Sequence, residues 1–364
     1  KEVSIGYVRK NWQHISNILY TSFRLNIPLA IVFSFVFILI TPWISSHFFK
    51  IPQLKIPLII ALSVVLPQII TRVFASGVNG FRKIWQSNLV NETLSSLLVA
   101  LGLYVLVLLK FEITIVNVAI TYAISRVIVT VTIGFYWRYL FSFKGKPIKL
   151  TRSMLKVALP LFIVSGSSLI ANSSDTLMLG WLGSSREVGL YNVAARIGLM
   201  TSFFHIITAS VLTPKVAALY EQGKKVELEK MVQQSVKGLV VIGLFGVITF
   251  VFFGKYILQL WGIEFIEGYG VLVIITIGQF FNISTGPSGV ILIMTGHEKF
   301  VSKFSTIMLV LNLILNFILI PRYGIMGAAF STTLTIIISN IMKVYVLYER
   351  VGISIIAFKK NIIN

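Results

Sequence analysis

Cysteine is absent from all 364 residues, which excludes a disulfide-stapled secreted scaffold. Charge is scarce as well: Asp, Glu, Lys and Arg together make up 12% of the chain, against about 25% in soluble domains. Acidic residues number only 12, and the four histidines (His14, His47, His205, His297) lack the spacing of a metal-ligand set. No glycine-rich loop precedes a Lys-Ser or Lys-Thr pair, so a Walker-type ATPase is excluded from this chain. Catalytic constellations being absent or weak, no enzyme is expected, and no cofactor beyond a coupling ion, H+ or Na+.

What fills the chain instead is apolar. Hydrophobic residues account for 56% of it and the mean hydropathy is +0.88, which excludes a water-soluble globular fold. The net charge of +20 could serve a nucleic-acid partner. Its placement says otherwise, because the basic residues sit in short loops between long apolar runs, as the positive-inside rule requires of a membrane protein.

A helix needs about 20 apolar residues to cross about 30 Å of hydrocarbon. Ten runs meet that length, near residues 25–48, 56–80, 87–109, 113–141, 154–182, 187–213, 236–260, 267–295, 301–320 and 325–348. β-Barrel strands would be about half as long and alternate in polarity. The expected fold is therefore an all-α polytopic membrane helix bundle. Lys and Arg distribute 24 to 6 between the two sides, which predicts both termini in the cytoplasm and a multi-pass protein of the cytoplasmic (inner) membrane. Trp43, Trp137 and Trp261 fall near span ends, where interfacial anchors are expected.

Two loops punctuate the chain. The basic stretch after residue 141, with Gly145 and Pro147, divides an N-lobe of four spans (1–141) from a C-lobe of six (154–364), leaving 142–153 as a cytoplasmic connector. Between Pro214 and Lys237, apolar residues recur at helical spacing among Glu and Lys, the pattern of an amphipathic helix lying at the interface. A weak internal repeat pairs Gly80-Phe-Arg-Lys83 with Gly296-His-Glu-Lys299, with Gln68 and Gln279 in the preceding spans. Parallel repeats of this kind are typical of transporters and predict two pseudo-symmetric lobes. In that register spans five and six have no upstream partners, so an N-terminal truncation of about two helices is expected.

Specific residues carry a family resemblance. Leu159-Pro160, Asn172-Ser-Ser-Asp175-Thr-Leu-Met-Leu-Gly180, Gly183 and Val188-Gly-Leu-Tyr191-Asn-Val-Ala194-Ala-Arg196 resemble the seventh and eighth helices of polysaccharide (lipid-linked oligosaccharide) flippases in the multidrug/oligosaccharidyl-lipid/polysaccharide exporter superfamily. Thr295-Gly-His-Glu-Lys299, Leu311-Asn312 to Asn316, and Leu319-Ile-Pro321-Arg-Tyr-Gly324-Ile-Met-Gly327 are similar to that family's tenth to twelfth helices. The resemblance implies flipping or export of an isoprenoid-pyrophosphate-linked oligosaccharide by alternating access. It also implies a place in polysaccharide biosynthesis for the cell envelope, with membrane lipids and other polysaccharide assembly proteins as partners. A multidrug cation antiporter of the same superfamily is the alternative, and it would want more acidic residues within the spans. A polytopic glycan polymerase or ligase is a third reading, disfavoured because no outer loop is long.

The candidate site residues are those whose presence in hydrocarbon is costly. A charge near the bilayer centre costs about 2.5–3.5 kcal/mol on insertion scales. Asp175 and Arg196 lie at similar depth on either side of the turn near residue 184, so an interhelical salt bridge is feasible, either as a structural pair or as a switch. Arg126 sits midway along its span with no acidic residue at its depth there or in the span before, and its planar fork suits phosphate; the alternative is capping by backbone carbonyls. Asn172, Asn192, Asn312 and Asn316 are suited to sugar hydroxyls or to interhelical hydrogen bonds. Pro67, Gly286 and Pro287 interrupt spans two and eight, as transport-site breaks or as kinks that only shape the bundle.

Overall fold

The computed structural model describes residues 2–142, 145–148 and 150–355; within its helices some side chains, Asn172 among them, lie outside the description. It divides into two compact units, Lys1–Pro160 and Leu161–Asn364. Every regular element among the described residues is helical, as expected.

The first unit comprises α1 (Glu2–Val8), α2 (Trp12–Trp43), α3 (Lys55–Ser63), α4 (Val65–Gly80), α5 (Ile84–Asn88), α6 (Leu94–Leu108) and α7 (Ile115–Leu140), with the start of α8 (Thr151–Leu182). Polar caps set the helix starts. The Asn11 carboxamide accepts from His14 N at 3.0 Å to open α2, and Thr114 Oγ1 accepts from Asn117 N at 3.2 Å to open α7. Large apolar residues of α2 such as Leu29, Phe35 and Leu39 are more than 60% exposed. That inverts the soluble pattern and presents them to lipid.

Ile15, Val78, Val129 and Ile133 close the core of this unit. Trp137 packs there too, against Gly77, where any Cβ would stand 2.7 Å from the indole. It is therefore a core residue, only 7% exposed, and not the interfacial anchor expected of it, whereas Trp43 and Trp261 are exposed. The connector is held on the start of α2, with Ile148 N donating to Asn17 Oδ1 at 2.7 Å and Gln13 Nε2 to the Lys146 carbonyl at 2.8 Å.

The second unit continues α8 and adds α9 (Ser185–Leu199), α10 (Phe203–Glu221), α11 (Lys225–Gln259), α12 (Tyr269–Ser284), α13 (Ser288–Met294) and α14 (Glu298–Val346). Ser184 and Glu187 form a reciprocal capping box at the start of α9. The stretch from Pro214 to Lys237 is not one helix but the end of α10, a turn and the start of α11. Leu228 and Val232 are fully buried beside Leu212, Val216 and Leu347, with Leu219 and Met231 packed against the same core, while Val226 stays exposed. Most of the apolar stripe therefore packs on protein.

Seven helical runs among the described residues are long and apolar enough to cross a membrane, against the ten spans expected. Part of the difference is local. Leu94–Leu108 is shorter because a π-helical turn at Leu89–Thr93 precedes it. Thr151–Leu182 contains residues outside the description. The last run holds two arms: α14 turns at Gly324, with φ 52° and ψ −132°. Twenty residues of straight helix would separate Asn312 and Thr332 by about 30 Å, yet Asn312 Nδ2 donates to Thr332 Oγ1 at 3.2 Å. The arms are antiparallel.

Only glycine adopts the Gly324 backbone without strain, so Gly324→Ala should destabilise the protein by about 1–3 kcal/mol. A lowered melting temperature in detergent would show it. An unchanged melting temperature would mean that the turn relaxes freely.

Candidate functional site

The two hairpins of the second unit set one polar layer. Asp175 and Tyr191 each stand eight residues from Gly183, and Asn316 and Thr332 each stand eight from Gly324. At about 1.5 Å per residue all four lie about 12 Å below their turns. Their side chains meet there. Asp175 is 8% exposed and accepts three hydrogen bonds of 2.6 Å, from Tyr191 Oη and Thr332 Oγ1 to Oδ2 and from Asn316 Nδ2 to Oδ1. A buried carboxylate is tolerable because these donors replace its water. Asn312 extends the cluster, its Oδ1 accepting from Ser174 Oγ at 3.0 Å and Asn316 Nδ2 at 3.2 Å. One acceptor, Asn316 Oδ1, is buried with no hydrogen-bond partner among the described residues.

This centre forms part of the lining of a cavity of about 760 Å³ in the second unit. Amides continue along the wall: Asn282 Nδ2 donates to Gln279 Oε1 at 3.2 Å, and Asn340 Nδ2 to Asn282 Oδ1 at 3.1 Å. Arg196 and Lys343 also line it, so its formal charge is two cations against Asp175.

The expected Asp175–Arg196 salt bridge does not form: among the described residues no ion pair joins them. Both line the cavity, but the carboxylate is taken up by neutral donors, while Arg196 is exposed toward the space. Asn192 lies in the lining too, with its Nδ2 returned to the Val188 carbonyl at 2.9 Å and its Oδ1 accepting from Thr176 Oγ1 at 3.3 Å. The side chain of Asn172 lies outside the description.

Arg126 belongs to α7 in the first unit. Its Nε donates to Tyr122 Oη at 3.2 Å, its guanidinium stands 5.2 Å from the Tyr122 ring centre, and Gln68 Nε2 donates to the same hydroxyl at 2.9 Å. The guanidinium rests on Tyr122, whose hydroxyl Gln68 fixes in turn.

The helix interruptions differ in kind. Between α12 and α13 the chain turns through Gly286, at φ 58°, and Pro287. A Cβ on Gly286 would meet Val236 Cγ2 at 2.5 Å, so the bare backbone is also a packing surface for α11. In span two the break lies at Val64, three residues before Pro67, which occupies the first turn of α4. The proline ring would clash with the carbonyl four residues earlier, so the helix must break upstream of it. The carbonyl of Pro67 accepts from Thr130 Oγ1 at 3.0 Å.

Sequence reasoning missed Tyr191, Thr332 and Lys343 as site residues; Asn312 and Asn316, read there as suited to sugar hydroxyls or to interhelical hydrogen bonds, both join the Asp175 cluster. Equal spacing about the turning glycines was the available signal for all but Lys343 and Asn312.

Two family models match the chain, one described as "Polysaccharide biosynthesis protein" over residues 8–220 and one as "MatE" over residues 157–318. The chain is 27% identical over 274 residues to "Capsular polysaccharide biosynthesis protein CapF" of Staphylococcus aureus, covering 72% of this chain and 69% of that protein. It is 27% identical over 218 residues to "Probable low-salt glycan biosynthesis flippase Agl15" of Haloferax volcanii, covering 58% of this chain and 45% of the relative's length. An inward-facing multidrug resistance MATE family transporter of the MOP superfamily superimposes with a TM-score of 0.80 at 15% identity, over 96% of this chain and 84% of that one. That likeness is one of fold. Together the matches bear out the resemblance drawn from the sequence.

Proposed function

We propose, from the premise that the chain belongs to the polysaccharide biosynthesis protein family, that it is a membrane transporter flipping a lipid-linked oligosaccharide across the cytoplasmic membrane by alternating access. The observation that carries this reading is the cavity: amides suited to sugar hydroxyls line it, and its cations outnumber its single carboxylate. An anionic pyrophosphate-linked glycan is attracted to such a space, whereas a cationic drug is repelled. Transfer of a fluorescent isoprenoid-pyrophosphate oligosaccharide between leaflets of proteoliposomes tests the reading. Transport of an organic cation in its place would favour the antiporter.

The Asp175 centre suits a monovalent coupling ion. Among the described residues no group of three or more His, Cys, Asp or Glu could hold a metal ion, whereas one carboxylate beside the orphaned Asn316 Oδ1 fits H+ or Na+. A proton on Asp175 would turn one carboxylate oxygen from acceptor to donor and displace one of its three donors. Loading would thereby change the hydrogen bonds that tie α8 to α9 and α14.

The basic-residue bias supports a cytoplasmic side for both ends. In this cysteine-free chain, single cysteines at Lys110, Arg186 and Arg322 should react with an impermeant maleimide from outside, and those at Lys146 and Lys224 should not. Arg186 tolerates replacement because its 2.7 Å pair with Glu267 is exposed on both sides; such a pair contributes about 0–1 kcal/mol. Reversed labelling would invert the orientation.

A further inference from the structure

The cavity has a second polar end, remote from Asp175. Lys343 stands 19 residues beyond Gly324, about 28 Å below the turn and about 16 Å deeper than the Asp175 layer. It lines the cavity one helical turn past Asn340, and its stem lies along Gly289, where a Cβ would stand 3.7 Å from Lys343 Cδ. The backbone of α13 thus fixes the reach of the ammonium. Among the described residues Lys343 makes no ion pair and no hydrogen bond. The neighbouring amides are tied to one another, Asn340 to Asn282 and Asn282 to Gln279, and so do not serve it.

A half-buried ammonium that faces a cavity and has no acidic neighbour among the described residues is free to pair with an anion that enters. Asp175 does not serve as its partner, being separated by the length of the cavity and already satisfied by three donors.

We propose that Lys343, beside Asn340 and Asn282, forms a phosphate-binding subsite separate from the Asp175 centre, which takes the pyrophosphate of an isoprenyl-linked substrate. This rests on the flippase reading for the identity of the substrate, but not for the presence of an anion site. Arg196 lies about 9 Å nearer the Asp175 layer along the helix axes, so a glycan attached to that pyrophosphate would extend along the amide wall.

Farnesyl pyrophosphate is the probe, with farnesol as its neutral counterpart, titrated into the purified full chain in zwitterionic nanodiscs. Wild type should bind the pyrophosphate in preference to farnesol. Lys343→Met, which keeps the stem and removes the charge, should weaken pyrophosphate binding by about tenfold or more, the order expected for a lost charge-assisted contact. Lys343→Arg should stay within about threefold of wild type, which separates loss of charge from loss of fold. Wild-type binding by Lys343→Met, or equal loss in Lys343→Arg, overturns the proposal. Nanodiscs containing phosphatidylglycerol distinguish the source of the phosphate: displacement of farnesyl pyrophosphate at comparable affinity would show a phospholipid headgroup site and overturn the assignment to substrate. Charge-dependent binding without any glycolipid transfer in proteoliposomes would keep the subsite and sink the flippase reading. Transfer at an unchanged rate in Lys343→Met would sink the subsite alone.

Discussion

Asp175→Ala should abolish coupled transport and also lower stability, the largest combined effect expected of any single change in this protein. Three donors aimed at the carboxylate, from Tyr191, Thr332 and Asn316, would lose their acceptor inside the bundle. Each buried donor left unsatisfied costs about 1–3 kcal/mol, less where a hydroxyl rotates or water enters the new space. A destabilisation of several kcal/mol follows. Asp175→Asn is the informative companion. Its carboxamide keeps one acceptor oxygen and the volume, and the two hydroxyls can turn to accept from its amino group. That variant should fold close to wild type and yet lose dependence of transport on the ion gradient. Stability is read as a melting temperature in detergent, and coupling as substrate transfer in proteoliposomes with and without a proton or sodium gradient. Gradient-driven transfer by Asp175→Asn would remove the ion from this site. The absence of a salt bridge adds a corollary: Asp175→Asn and Arg196→Gln should act additively, within about 0.5 kcal/mol.

The second large effect is expected at Arg126. Arg126→Ala should abolish glycan export while the protein still reaches the membrane, and Arg126→Lys should restore only part of it. The reason is geometric. Its Nε is committed to Tyr122 Oη, and Gln68 fixes that hydroxyl from α4, so the guanidinium plane is set before any ligand arrives. An ammonium would restore the charge but neither the Nε contact nor the planar fork that matches phosphate oxygens. Export in cells expressing the protein, with membrane abundance measured in parallel, decides the matter. Full activity of Arg126→Ala would take the residue out of substrate handling.

Much of the architecture was legible because lipid writes simple patterns. Long uncharged runs such as Ile27 to Ile44 can hardly be anything but spans, and a break at Gly286-Pro287 follows from a missing donor and a positive φ. Two kinds of feature escaped. The stripe of Leu228 and Val232 has the same periodicity whether it faces lipid or a neighbouring helix, and only the packing beside Leu212 and Leu347 separates the two. Trp137 escaped for a related reason: a tryptophan near a span end anchors at the interface only if no glycine opposite invites it inward, and Gly77 does. Within the site, charge complementarity suggested that Asp175 would seek Arg196. A carboxylate can be satisfied as well by neutral donors, and tyrosine, threonine and asparagine leave no charge signal in a sequence.

The turns at Gly183 and Gly324 govern how this chain can change length over evolutionary time. One residue added within an arm, between a turn and the polar layer, rotates everything beyond it by about 100° and shifts it by about 1.5 Å along the axis. Such an insertion at any point from Asp175 to Tyr191 or from Asn316 to Thr332 would swing a donor or the carboxylate out of the cluster, toward lipid. Added residues in the short loop between α7 and α8 leave both arms in register. Indels should therefore be purged from two windows of 17 residues, each centred on a glycine, and tolerated outside them. Conservation of spacing, more than of composition, is the mark this centre should leave on its relatives.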